Sequence, residues 1–96
     1  MEKQMDKIIS VFSSITDKRT MRKLFDELLT ESERKNLSLR WKLLEELSKN
    51  TPQREIAKSL HLSLCKITRG SKILKDKKSV CSKLLKKTSP KQHNTP

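Results

Sequence analysis

Residues 51–75 read TPQREIAKSLHLSLCKITRGSKILK, and the fold turns on how that stretch divides. Thr51 is a suitable N-cap, and Pro52 fits a first helical position, where its missing N–H costs nothing. A short helix then runs from Gln53 to Leu60. His61-Leu62-Ser63 interrupts it, and Ser63 caps a second helix that opens at Leu64. Two short helices joined by a three-residue turn make a helix-turn-helix, whose second helix enters the major groove of DNA. The steep crossing of the pair needs a small residue, and Ala57, the only alanine of the chain, stands there. The turn needs one residue that tolerates φ > 0; here it is His61 in place of the usual glycine. Leu62 seats the turn and Ile67 locks the second helix from below. Ile56, Ala57, Leu60, Leu62, Leu64 and Ile67 form the expected buried set. The competing reading of the same pattern is an ordinary helical hairpin.

The polar positions of this stretch suit duplex DNA. Arg54, at the entry of the first helix, carries a guanidinium able to grip a guanine edge bidentately, and Gln53 precedes it. Leu64, Cys65 and Lys66 open the second helix and face the groove. Thr68, Lys72 and Lys75 follow at phosphate-facing positions, where contacts set affinity and salt dependence rather than sequence choice, and Ser71 is a further candidate for contact with DNA. Gly70 is the only glycine of the chain. It falls inside the second helix, where glycine costs about 1 kcal/mol relative to alanine. A helix end at Gly70 is one explanation, but Ile73 and Leu74 argue that the helix continues. The other explanation is a partner that must come close to that backbone.

Charge reinforces the reading. The 96 residues hold 23 Lys and Arg against 11 Asp and Glu, a formal +12. Residues 1–57 carry a net of only +2, whereas residues 58–96 carry 11 basic residues against the single acid Asp76, a net of +10. Such asymmetry marks a polyanion partner, either nucleic acid or an anionic membrane. A membrane-surface helix wants aromatics beside its lysines, and residues 58–78 contain none. Nucleic acid is therefore the expected partner.

The rest of the chain reads as helix, with no period-2 alternation of useful length. Met5, Ile8, Ile9, Phe12 and Ile15 follow the i, i+3, i+4, i+7 stripe. Met21, Leu24, Phe25 and Leu28 repeat it after a break near residues 16–19. Thr30 with Glu33 forms a capping box that opens a third helix. Leu37, Leu39, Trp41, Leu43, Leu44 and Leu47 give that helix an apolar face broad enough to be buried between several neighbours. Val80, Cys81, Leu84 and Leu85 mark a last amphipathic piece. Leu, Ile, Val and Phe make up a quarter of the residues, and only three residues are aromatic. One protomer of this size has little to bury alone, which predicts an oligomer. Four segments follow: 1–50 as dimerisation helices and core, 51–75 as the DNA-reading unit, 76–86 as a C-terminal dimerisation helix, and 87–96 as a disordered basic tail.

Several function classes are excluded by what is missing. Cys65 and Cys81 stand sixteen apart with no CxxC and no His at ligand spacing, so neither a disulfide framework nor a zinc site is expected. No apolar run approaches the ~20 residues of a membrane span, and no secretory segment follows the N-terminus. The expected protein is soluble, cytoplasmic and without a membrane partner. No nucleophile-base or carboxylate pair is placed for catalysis, so the chain does not read as an enzyme.

Leu29-Thr30-x-x-Glu33-Arg34, Leu39-Arg40, Glu45-Glu46-Leu47, Gln53-Arg54-Glu55 and, most specifically, Ile67-Thr68-Arg69-Gly70-Ser71 together resemble the Trp repressor family. The likeness spans about half the chain, residues 28–75. It implies an all-α, intertwined homodimer of six short helices per protomer, in which L-tryptophan acts as corepressor and the loaded dimer binds an operator palindrome. It further implies that Arg40 and Arg69 flank the indole ring of that amino acid and that Gly70 leaves room for it. Leu29, Thr30 and Leu44 would wall the pocket. By the same resemblance Arg54 reads a base directly, while the backbone at Leu64, Cys65 and Lys66 reads others through water. The sequence departs from the family pattern at Ile73, where a small residue is usual, at Glu27, where an apolar one is, and at Lys72, where Asn is. One residue is also missing between Lys49 and Gln53. Two other functions compete: a helix-turn-helix regulator without amino-acid gating, and a basic protein that coats nucleic acid irrespective of sequence.

Overall fold

A computed structural model of the protein describes residues 1–88, and all its regular structure is helical: α1 (Glu2–Ser14), α2 (Lys18–Leu28), α3 (Glu31–Ser48), α4 (Gln53–Leu60), α5 (Leu64–Lys75) and α6 (Val80–Thr88). The all-α expectation and the six helices hold. Most of the proposed basic tail, 89–96, lies outside the described residues. The chain forms two compact units, residues 1–36 and the residues from Leu37 onward.

In the first unit, α1 and α2 form a hairpin. Asp17 starts α2 by accepting from the Thr20 N–H (2.8 Å) and from the Thr20 hydroxyl (2.6 Å). These bonds hold the Asp17 carboxyl below the usual carboxylate range. Phe12 and Phe25 face each other at 5.4 Å between ring centroids, within the span of favourable tilted aromatic pairs. Arg34 closes α2 by donating to the carbonyls of Leu29 (2.6 Å) and Asp26 (3.1 Å). The expected capping box is formed: Glu33 N–H donates to Thr30 Oγ1 (3.1 Å), and Thr30 N–H donates to Glu33 Oε1 (2.8 Å). Yet no residue of α1 or α2 is buried. Ile9 and Val11 leave half their surface in solvent.

The second unit holds the core. Ile56 of α4 and Ile67 of α5 are fully enclosed and meet Leu43 of α3, with Leu47, Ala57, Leu60 and Leu62 packed around them. Two left-handed residues bracket α4, Asn50 (φ 65°) and His61 (φ 55°). Asn50 belongs to a Schellman ending of α3, in which Thr51 N–H donates to Glu46 O (3.1 Å) and Asn50 N–H to Leu47 O (3.0 Å). His61 ends α4, its N–H and that of Leu62 both reaching the carbonyl of Ala57. Ser63 starts α5 by accepting from Lys66 N–H at 3.3 Å. Ser79 does the same for α6 through Ser82 N–H at 3.1 Å.

Two expectations are corrected. The N-cap of α4 is Pro52 rather than Thr51, whose hydroxyl turns back to α3 and donates to Glu46 Oε1 (2.9 Å). Leu64 is 61% exposed and does not belong to the buried set. On α6 the apolar stripe is only partly used: Leu85 is buried, whereas Val80 is 66% exposed. Gly70 is no helix end, since α5 continues five residues beyond it.

Candidate nucleic-acid interface

The buried line of α5 sets everything else on that helix. Ile67 and Gly70 face inward, and Ser71 and Leu74, on the same side, are half-buried. The opposite stripe follows from helix geometry: Cys65, Thr68, Arg69 and Lys72, at i, i+3, i+4 and i+7, are all exposed. Lys66 and Leu64 are exposed on the first turn. An exposed aliphatic side chain at the tip of a cationic helix suits contact with a thymine methyl group. On α4, Gln53 and Arg54 are exposed at the N-terminal turn, the latter carrying its guanidinium free of any ion pair seen among the described residues.

Of the eight duplex-contacting candidates, seven therefore lie on open surface of the two helices. Ser71 differs. It lines a cleft of about 400 Å³ whose other walls are Leu47, Asn50, Thr51, Pro52, Gln53, Leu74 and Lys75. That cleft brings Ser71 to the side of α5 nearest the start of α4, beside Gln53.

The candidate ligand residues divide between the two units. Leu29, half-buried at the end of α2, and Thr30, whose hydroxyl is engaged with Glu33, belong to the first. Arg40, Leu44, Arg69 and Gly70 belong to the second. There the structure brings Leu44 and Gly70 together. A Cβ at Gly70 would stand 3.1 Å from Leu47 Cδ1, 3.3 Å from Leu43 Cδ2 and 3.4 Å from Leu44 Cδ2. The close approach that the lone glycine implies is made, within the protomer, by the leucines of α3. Arg40 precedes Leu44 by one helical turn, and Arg69 adjoins Gly70; both guanidiniums are exposed. Arg69 also borders an open groove of about 420 Å³ with Lys72, Ile73, Asp76, Ser79, Val80 and Cys81.

Sequence reasoning missed one arrangement beside these residues, the hold of Glu46 on Thr51. Glu46 is half-buried, and its carboxyl lies below the usual carboxylate range, first because it accepts from the Thr51 hydroxyl and then because Lys42 and Lys49 stand beside it. The signal was present, since an Asn that leaves α3 left-handed puts the second residue after the helix back over the last turn. Among the described residues no cluster of His, Cys, Asp or Glu could hold a metal ion, and no helix is long and apolar enough to cross a membrane.

Comparison with known proteins agrees with this geometry. The model of the family described as Trp repressor protein matches residues 3–89. A Trp operon repressor homolog of Vibrio campbellii is 36% identical over 76 residues, covering 78% of this chain and 76% of the relative. Homologs of the same description from Actinobacillus succinogenes and Haemophilus influenzae are 49% and 47% identical over 49 residues. That alignment spans half of this chain and about half (48%) of each relative. No solved structure matches the chain.

Proposed function

From a chain that belongs to the Trp repressor family, and is therefore a helix-turn-helix DNA-binding regulator rather than an enzyme, we propose an operator-specific repressor that works as a homodimer gated by L-tryptophan. The observation that carries the reading is the cationic outer stripe of α5. Thr68, Arg69 and Lys72 are turned to solvent while Ile56 and Ile67 seal the α4–α5 seam behind them. In the proposed complex α5 enters the major groove, Arg54 grips a base edge, and Thr68, Lys72 and Lys75 meet phosphates. The backbone at Leu64, Cys65 and Lys66 reads its bases through water. With duplex DNA as its target the protein works in the cytoplasm.

Dimerisation is supported by the first unit, whose α1 and α2 bury nothing although Met5, Ile9, Val11 and Leu28 lie along them. A second protomer would cover that surface, in line with the thin apolar supply of one chain. Gating is supported by the family to which the chain belongs and by Arg40 and Arg69, which stand exposed on the two helices that also carry Leu44 and Gly70. The family resemblance adds Leu29 and Thr30 to the residues proposed to contact the corepressor. The ligand acts by population shift: it favours the arrangement in which the two reading helices stand one duplex turn apart. That spacing is about 34 Å for helix-turn-helix dimers, the Trp repressor among them.

The test is selection of duplexes from a random-sequence pool with and without L-tryptophan, followed by calorimetric titration. A palindrome enriched only with tryptophan is the expected result. Enrichment indifferent to tryptophan would leave an ungated regulator, and no enrichment at any salt would leave a sequence-indifferent coating protein.

A further inference from the structure

The corner between α3 and α4 is held more firmly than the end of a helix requires. The Schellman bonds to Glu46 O and Leu47 O suffice to stop α3. Glu46 then holds the same residue a second time, its Oε1 accepting from Thr51 Oγ1 at 2.9 Å. The two carboxylate oxygens divide their work, for Oε2 faces Lys42 Nζ at 3.3 Å and Lys49 Nζ at 3.8 Å. We propose that Glu46 and Thr51 form a positioning lock that aims the first turn of α4, and with it Gln53 and Arg54, at the duplex. The inference rests on the DNA-reading function proposed above.

The chain leaves little else to do this. From Thr51 to Arg54 there are three steps. The ring of Pro52 fixes one torsion (φ −57°), and Gln53 and Arg54 are helical. The torsions of Thr51 and the ψ of Pro52 are the soft ones, and the double hold on Thr51 removes the former. α4 has eight residues, too few to be stable by itself, and Pro52 gives its N-terminus no side-chain cap. Ile56 pins the middle of α4 in the core and the left-handed His61 pins its end. Rocking about Ile56 is the remaining freedom, and it would move Arg54. Recognition geometry tolerates only about 0.5 Å and 10–20°, so a corner free to rock would blur base reading while leaving charge attraction intact.

The experiment measures affinity for a duplex selected by the wild-type protein against affinity for a scrambled duplex, at fixed salt, for Thr51→Val, Thr51→Ser, Glu46→Ala and the Thr51→Val/Glu46→Ala pair. Thr51→Val and Glu46→Ala are each expected to lower the selected-to-scrambled ratio about tenfold, within what one bidentate base contact contributes. Thr51→Ser, which keeps the hydroxyl, stays within twofold of wild type, and the double variant falls no further than either single one. The lock is overturned if Thr51→Val keeps the wild-type ratio, if Thr51→Ser falls as far, or if the two losses multiply. Should the wild type select no sequence, the operator reading fails by itself. The lock is then decided by ¹⁵N relaxation, which supports it if the Gln53 and Arg54 amides loosen in Thr51→Val but not in Thr51→Ser, and overturns it otherwise.

Discussion

Gly70→Ala sets two known effects against each other at one position. Inside an exposed helix the change would stabilise by about 1 kcal/mol, the intrinsic helix penalty of glycine. At Gly70 the new methyl would meet three leucines at once, at 3.1, 3.3 and 3.4 Å. Leu47 is half-buried, and the end of its side chain can move. Leu43 and Leu44 are buried, so they have little room to give. Overpacking of a closed core costs about 1–3 kcal/mol, which exceeds the propensity gain across most of its range. The expected net is a destabilisation of about 1 kcal/mol, read as a lower urea midpoint with an unchanged m-value. Gly70→Leu, with three further carbons to place, should separate α3 from α5 and abolish cooperative unfolding of the second unit. Gly70→Ala more stable than wild type by the full propensity gain would refute the reasoning, because it would mean that α3 can withdraw without cost. Calorimetry on the same variant bears on the corepressor site: a methyl that presses on Leu44 should weaken L-tryptophan binding, and unchanged binding would place the ligand elsewhere.

Four other outcomes are expected. His61→Gly keeps the left-handed turn without the side-chain clash that costs about 1–2 kcal/mol there, offset in part by the freer unfolded chain; the net gain should be about 0.5–1 kcal/mol in urea unfolding, and a loss would show that the imidazole makes a needed contact. Arg54→Ala should weaken a selected duplex by about 1–3 kcal/mol and scrambled DNA far less, equal losses being evidence against base reading. Light scattering should give twice the 11.2 kDa of one protomer, and a stable monomer would defeat the dimer. The Glu46 carboxyl is lowered on folding, so its contribution is complete above the unfolded glutamate value of about 4.3 and is lost as pH falls through the folded value; Glu46→Gln should flatten that acid limb of a stability–pH profile, and an identical profile would dismiss the pair.

The features legible in the sequence were those decided within a turn or two. The Thr30–Glu33 box, the Ser63 cap and the left-handed His61 each depend on residues no more than four apart, and each forms as the local chemistry demands. Thr51 was misplaced because two helices compete for it. Its hydroxyl can cap α4 or return to α3, and the left-handed Asn50 decides the contest by folding Thr51 over Glu46. The pattern Asn-Thr-Pro ranks those outcomes only when Asn50 is taken as left-handed and Glu46, five residues before Thr51, as the acceptor. Gly70 shows the same boundary from the other side. That something must approach its backbone follows from one glycine inside a helix, but the leucines that do so lie on α3, more than twenty residues earlier. Leu64 fails for a third reason, since hydrophobicity gives no sign of whether a residue at the first turn of a helix lies under the turn or beyond it. The α5 surface escapes this difficulty because a fixed point exists within the helix. Once Ile67 is inward, helical geometry puts Cys65, Thr68, Arg69 and Lys72 outward together. The face proposed to meet DNA is thus determined by the residues that cannot meet it, and a substitution that rotated Ile67 out of the core would remove that face without touching any of its side chains.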